Sequence, residues 1–456
     1  MTTGGTQTTP GAGKEAESTS GISWPSPRQA WTAMGVLALV RMSAQLDLTI
    51  LSLLVEPIKK DMGLSDGQIG LLLGLAFAVF YLGLGVPLSK LVDSYSRKTI
   101  LAFGVAFWSI STAMSGLATN FVQLFFCRAA VGAGESVNGP ATFSMIADMF
   151  PRERLARAIA VLNMGSVAGT AVAMIFSAFV IHWLETIEMP NFPIIGTPRP
   201  WQAVFFIIGL PGLFFALMMY ALPEPRRQGG PVKAESFGGI LRFMKANWRL
   251  FAPLFVALLV SGIESGGAGM WRPAFLTRTY GWSPAQVALV SGIVSLVTGV
   301  AGVFLGSFLS EYLARKYDNA NLRVVLTGWI IATPCMVAYP LVDNPWVSVT
   351  ISGIASLAAL MGAPTQNAAL QSVVPGHMRG QITALYLLTF TLAGSGIGPS
   401  FIAAITEYVV GDEAGLRYAL SGSAAVMMPL AIVIMIFGLK PYAARIAQLK
   451  AEEARG

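Results

Sequence analysis

Apolar positions along this chain fall into long blocks separated by short polar segments. Blocks of ~20 residues recur from end to end, and each is long enough to cross a bilayer as a helix. They predict twelve spans at roughly 30–55, 67–92, 98–117, 120–147, 155–181, 201–222, 249–276, 283–310, 322–341, 345–372, 377–405 and 414–438. The expected fold is therefore an all-α polytopic membrane protein. Between spans 6 and 7, the segment PEPRRQGGPVKAESFGGILRFMKANWRL opens on Pro and Gly and turns amphipathic from Ser236. Phe237, Ile240, Leu241, Phe243 and Met244 recur at helical spacing with Arg242 and Lys245 between them. This predicts a helix lying on the membrane surface and joining two halves. The polar, Gly/Ser/Thr-rich start of the chain reads as a disordered tail. It has no charged region followed by an apolar one, so no cleaved signal peptide is expected. The division is a tail over 1–29, bundles over 30–222 and 249–438, a linker over 223–248 and a second tail over 439–456.

The two halves repeat one another. GLSDGQIGLLLG, from Gly63, aligns without gaps to GWSPAQVALVSG, from Gly281. The register holds into the next loop, where Asp93-Ser-Tyr-Ser-Arg97-Lys98 faces Glu311-Tyr-Leu-Ala-Arg315-Lys316. Two related six-helix units around a linker are the layout of a two-lobed transporter with its site between the lobes.

Composition narrows the class. Of 456 residues, 54% are hydrophobic and only 12% charged, about half the charged share of a soluble protein. The net charge of +7 follows membrane orientation and does not call for nucleic acid. About 22 basic residues lie in the tails and the loops after even-numbered spans, against about five after odd-numbered spans. The basic side is cytoplasmic on this reading, with both termini inside. Arg41, Arg128 and Arg272 remain at membrane depth. Cys127 and Cys335 sit in apolar runs as free thiols. His182 and His377 fall near span ends, so no metal site or cofactor is expected. No Ser/His/Asp arrangement stands at membrane depth, which disfavours a lipid enzyme. A channel has no need of two homologous lobes joined by a linker. A carrier is the class that remains.

The chemistry concentrates in span 4, CRAAVGAGESVNGP. Arg128 and Glu135 are about two turns apart and so share a face. A charge at mid-bilayer costs at least ~2.5–3.5 kcal/mol, so both should face the bundle interior. Ala129, Ala130, Gly132, Ala133 and Gly134 let another helix approach closely. A buried carboxyl without a full partner suits a reversible proton carrier; the alternative is that Glu135 is neutral and only hydrogen-bonded. Span 7 carries Glu264 in a Gly-rich stretch ending Trp271-Arg272-Pro273. That pattern predicts a helix that bends or breaks, with Glu264 either gating or hydrogen-bonded near the outer mouth. Arg41 either meets the substrate or reaches the headgroup boundary. Trp271, Phe275, Tyr280, Tyr386 and Phe390 either line an apolar cavity or pack between helices.

The loop Ser89-Lys-Leu-Val-Asp93-Ser-Tyr-Ser-Arg97-Lys98 resembles the signature loop of the major facilitator superfamily, Gly-x-x-x-Asp-Arg/Lys-x-Gly-Arg-Arg/Lys. Serines replace both glycines and the first basic residue. Arg128-x-x-x-Gly132-x-Gly134 resembles that superfamily's helix-4 motif. Arg128 to Glu135 with Pro140, Asp148, the loop PRERLARA and Asp47 in span 1 is similar to its Spinster branch. The resemblance implies the major facilitator fold, with two pseudo-symmetric six-helix bundles and spans 1, 4, 7 and 10 lining a central cavity. The helix meeting span 4 should then be span 1, with Arg128 paired to Asp47. Proton binding at Asp47 and Glu135, with Arg128 as partner, would bias alternating access. It implies no cofactor, a monomer, and a bacterial inner (cell) membrane location. The substrate expected is an amphipathic lipid-like molecule such as a lysolipid or sphingoid phosphate, its head drawn to Arg128. The runner-up is a small organic anion or drug-like compound. Carried over by position, gating falls to Asp93 near Arg379, to Arg97 near Asp148 with Arg154 in the following loop, and to Glu311 and Arg315 in the repeat. These contacts should form with the outer side open and part with it closed. Span 5 has Gly165-x-x-x-Gly169 without the Pro of exporters, which leaves the direction of transport open.

Overall fold

A computed structural model describes residues 24–191, 196–227 and 237–453. Ten helical stretches in it are long and apolar enough to cross a membrane. The other two expected spans are helical but marked by their sequence. Span 3 is the helix Arg97–Ser115, which opens on two basic residues. Span 4 is split into Phe121–Glu135 and Asn138–Met149. Pro140 has no N–H for the Ser136 carbonyl and sits in the first turn of the second piece, where that donor is not needed.

Local chemistry explains the repeat. Gly63 and Gly281 end helices with φ of +64° and +69°, a backbone region costly for residues with a Cβ. Two residues on, Ser65 and Ser283 cap the next helix by accepting from the N–H of Gln68 and Gln286. The Gly-x-Ser-x-x-Gln pattern is thus a stop-and-start signal, used once in each half.

Three elements depart from expectation. Span 7 is one unbroken helix, Trp248–Tyr280, despite Pro253 and Pro273. Its glycines serve contact instead: a Cβ on Gly266 would lie 2.3 Å from the Gly394 Cα, so spans 7 and 11 meet backbone to backbone. The irregularity lies in span 11, which widens to π-helix over Leu392–Ile397 and again over Ile405–Val410. Such single-turn widenings often mark functional segments. Span 12 runs as one helix, Leu416–Glu453, so the expected tail from 439 is a helical extension through Glu453, rich in good helix formers. Lys450 ties it to Asp318, at 2.5 Å. At the other end, span 1 starts at Pro27 on a Ser26 cap, and residues 1–23 of the expected tail lie outside the described residues. So do residues 228–236 of the linker, while Phe237–Ala246 is the expected amphipathic helix.

The apolar core forms three clusters. One fills the first half, around Trp108, Val131 and Met145. A second fills the other half, around Phe251, Trp329 and Tyr442. The third crosses between halves, joining Ile50, Leu72 and Phe205 to Trp271, Phe275 and Ile402. It lies at the face that carries the loops after odd-numbered spans. Here the halves are closed on one another by continuous burial, the main stabilising term of a packed interface.

Candidate functional site

Span 1 carries Asp47 and span 4 carries Arg128 and Glu135, and the fold brings all three together in the interior of the first half. Their exposures are 3%, 1% and 4%. The break in span 4 falls immediately after Glu135. The small residues of span 4 do admit close neighbours, but these are spans 2 and 3. A Cβ on Gly132 would lie 2.3 Å from the Phe77 carbonyl, and one on Gly134 would lie 2.9 Å from Trp108. Span 1 is reached by the arginine itself, whose Nη1 donates to the Asp47 main-chain carbonyl at 3.2 Å.

That contact corrects the expected side-chain ion pair. Among the described residues the Asp47 carboxylate forms no ion pair with Arg128, and Asp47 Oδ1, Glu135 Oε1 and Arg128 Nε have no hydrogen-bond partner in the protein. The guanidinium stands within electrostatic reach of both acids without being consumed by either. Glu135 is also within reach of Arg41, whose Nε donates to Ser166 Oγ of span 5 at 3.1 Å. Arg41 therefore faces the interior of its own bundle. Two buried acids and one guanidinium that forms an ion pair with neither leave more than one way of placing a proton among them.

The second half holds a cavity of about 300 Å3 walled by spans 7, 9, 10, 11 and 12. Arg272, Ser356, Gln366 and Phe390 line it, so Phe390 stands where an apolar wall was expected. Tyr386 acts one step back, its hydroxyl donating to Gln366 Oε1 at 2.6 Å. Trp271 is corrected. It is fully buried, donates its indole N–H to the Pro399 carbonyl at 2.8 Å, and fastens span 7 to span 11. Phe275 is likewise core, and Tyr280 donates to the Val342 carbonyl. Glu264 is fully buried, not at a mouth, with Ser423 of span 12 as its neighbouring polar group.

The expected gating residues divide. Arg97 is buried and forms an ion pair with Asp148. Both belong to the first bundle, and the pair is formed while the halves are closed at the odd-loop face. As a contact within one half, it braces that bundle here. The same arginine reaches Glu224, Nε to Oε1 at 3.0 Å, and donates from Nη2 to the Pro225 carbonyl at 2.6 Å. Glu224 also accepts from Ser96 Oγ and from the Arg97 and Lys98 N–H groups. This carboxylate sits on the N-terminus of span 3, where the helix dipole favours an anion. Burial alone would push its carboxyl up, but these hydrogen bonds outweigh burial and hold it below the usual carboxylate range. The Asp93 side chain lies outside the described residues. Arg379 is exposed and donates to the Val374 carbonyl five residues before it. Arg154, Glu311 and Arg315 are exposed. The repeat in sequence thus carries no repeat of the buried arginine network: span 10 offers no acid where span 4 offers Asp148.

Sequence reasoning missed two features. Glu224 follows span 6 in a Pro-Glu-Pro triplet that read only as linker. The larger omission is a charge cluster across the halves at the odd-loop face. Arg278 of span 7 grips Asp66 with Nη1 at 2.7 Å and Nη2 at 2.8 Å, and Glu56 with Nε at 2.7 Å. Lys59 bridges Asp66 to Glu413, at 2.5 Å each. Beside it, Glu407 accepts from the Gly67 N–H at 2.7 Å. The available signal was position 66, where the repeat places Asp against Pro284.

The pattern matches known proteins over most of its length. Residues 37–399 match the model of the Major Facilitator Superfamily. The chain is 24% identical to an MFS-type efflux pump of Mycolicibacterium smegmatis, over 85% of this chain and 86% of that protein. It is 25% identical to protein spinster homolog 3 of Danio rerio, over 84% of this chain and 78% of that one. It is also 25% identical to a probable L-galactonate transporter of Escherichia coli, over 85% of each. Among solved structures, it superposes on a bacterial homolog of the human lysosomal transporter Spinster, in an inward-facing and unoccupied conformation. The TM-score is 0.75 at 24% identity, covering 93% of this chain and 98% of that one. The chain belongs to the Major Facilitator Superfamily of transporters, and within it is similar to the Spinster branch.

Proposed function

We propose that this transporter is proton-coupled, works by alternating access and moves an amphipathic, lipid-like substrate of the lysolipid or sphingoid phosphate type. The observation that carries the coupling is the buried cluster of Asp47, Glu135 and Arg128. Protonating an acid there removes a charge from a buried interior, and the guanidinium then turns to the other acid. Each arrangement suits a different packing of span 1 against span 4, which is how a proton would bias the direction in which the cavity opens. Likeness to the Spinster branch supports the lipid-like substrate. The odd-loop side is read as external, both termini as cytoplasmic, the membrane as the bacterial inner membrane and the protein as a monomer of two bundles joined by the 223–248 linker. On that orientation the described state is closed outside.

Likeness to the L-galactonate transporter favours a second reading, a small organic anion. Proteoliposomes separate the readings. Under an imposed pH gradient the parent is expected to acidify its lumen on adding a lysolipid, and not on adding galactonate. Asp47→Asn abolishes proton-driven transport but keeps substrate exchange, and Glu135→Gln shifts the pH midpoint. Parental pH dependence in both variants would overturn the coupling. Galactonate-driven flux without lysolipid-driven flux would overturn the lipid reading alone.

A further inference from the structure

Arg128 was expected to meet the polar head of the substrate, but its guanidinium is 1% exposed, hydrogen-bonded to the Asp47 carbonyl and balanced by two acids. Another arginine is free for that task. Arg272 of span 7 lines the cavity of the second half. Its guanidinium stands 5.8 Å over the Tyr339 ring, and its hydrogen bond to Ser356 is a long one, 3.4 Å from Nη1 to Oγ. Its buried Nε has no partner in the protein, and the buried hydroxyl of Tyr339, within reach of the same guanidinium, donates to no group in the protein. Among the described residues no carboxylate forms an ion pair with Arg272. A guanidinium at membrane depth is expensive and is kept where it meets a partner. The partners missing here are acceptors, and two unsatisfied donors converge on one corner of a built cavity.

We propose that this corner binds the anionic group of the transported molecule, a carboxylate or phosphate monoester, with Arg272 as the principal ligand and the Tyr339 hydroxyl as a hydrogen-bond donor, while Ser356, which donates to the Ser352 carbonyl, accepts from the guanidinium and holds it in place. A planar guanidinium presents a fork of N–H groups that matches both oxyanions. Beyond this corner the wall is mainly apolar, with Trp329, Met336, Leu360 and Met428, and carries Ser261, Ser265 and Gln366 as its polar members. The apolar part receives the first methylenes of a chain. The volume of about 300 Å3 is at the low end for ligand sites, so it takes a head and its first carbons, not a whole lipid. Both buried acids of the coupling cluster lie in the other half. The anion and the proton are thus handled by different lobes. Glu264, on the same helix as Arg272, is the nearby acid that also acts electrostatically on Tyr339. An anion therefore binds best with Glu264 neutral. The inference deepens the function proposed above and rests on it for the lipid character of the substrate, but not for the site.

The test is equilibrium binding to the full chain in nanodiscs, with decyl phosphate, decanol and galactonate as probes. In the parent, decyl phosphate is expected to bind and decanol to bind at least tenfold more weakly, ~1.4 kcal/mol. Arg272→Gln should lose at least tenfold in decyl phosphate affinity with decanol unchanged. Ser356→Asp, which supplies an internal carboxylate to the guanidinium, should do the same and guards against a misfolded glutamine variant. If galactonate binds in place of decyl phosphate and is lost in Arg272→Gln, the anion site stands and the lipid reading falls. Parental anion affinity in both span 7 and span 10 variants, or no binding of either anion to the parent, overturns the site.

Discussion

Replacing Asp66 with asparagine removes the centre of the charge cluster that joins the halves. In the parent this carboxylate accepts from Arg278 Nη1 and Nη2 and from Lys59 Nζ. Its side chain is 1% exposed, so salt screens it weakly. Truncating one member of a buried, hydrogen-bonded pair costs about 3–5 kcal/mol. Two features reduce that here. Glu56 and Glu413 remain as partners for Arg278 and Lys59, though they are 30% and 60% exposed. Asparagine also keeps one oxygen acceptor in nearly the same place. The expected loss is ~2–3 kcal/mol, or about 30- to 150-fold. Asp66 and Lys59 are on one half and Arg278 and Glu413 on the other, so the loss falls mainly on the state closed at this face. A population of about 99:1 in favour of that state would become roughly even, since a hundredfold bias is ~2.7 kcal/mol. Spin labels at exposed Lys60 and Gln286, with Cys127 and Cys335 replaced, report the separation of the halves by double electron–electron resonance. Asp66→Asn should add a second, longer distance, and Arg278→Gln should do likewise. The double variant should fall short of the sum, since the two residues share one interaction. A distance distribution identical to the parent in both single variants would refute the claim that this cluster holds the face closed.

Two further outcomes follow from packing and titration. A Cβ on Gly266 would meet the backbone of Gly394 at 2.3 Å, whereas one on Gly269 would meet nothing within 4 Å. Gly266→Ala should therefore depopulate the closed face in the same spin-label experiment, with Gly269→Ala as the unchanged control, and equal behaviour of the two would contradict the close approach of spans 7 and 11. Glu224 is held below its usual carboxylate range, so it contributes stability above the unfolded value of ~4.3 and loses it as pH falls through its folded value. Glu224→Gln should lower the melting temperature at pH 7 by roughly 1–2 °C, for a loss of ~1–2 kcal/mol. The gap to the parent should close on acidification; a gap constant from pH 7 to pH 3 would show that the carboxylate charge is not what braces span 3.

What the sequence determined by itself was whatever is written locally. Long apolar blocks fixed the helices, because a backbone in lipid must satisfy its own hydrogen bonds. The Gly-x-Ser-x-x-Gln signal fixed where helices stop and start in both halves, since a left-handed glycine and a serine cap need only their neighbours. The cost of charge in lipid singled out Arg128 and Glu135 as interior residues, the family resemblance added Asp47, and the fold brings the three together. What only the tertiary structure decided was which atoms meet. Arg128 reaches the main-chain carbonyl of Asp47 and not its carboxylate. The glycines of span 4 receive spans 2 and 3, and the glycines of span 7 seat span 11 without bending their own helix. Trp271 went to the core and Arg272, its neighbour, to a cavity. One residue turns a helical side chain by about 100°, and spacing along a chain does not reveal which helix waits at that angle. The cluster of Asp66 and Arg278 joins residues 212 positions apart, and no local pattern encodes a partner so distant: it exists because the two lobes come to rest against each other.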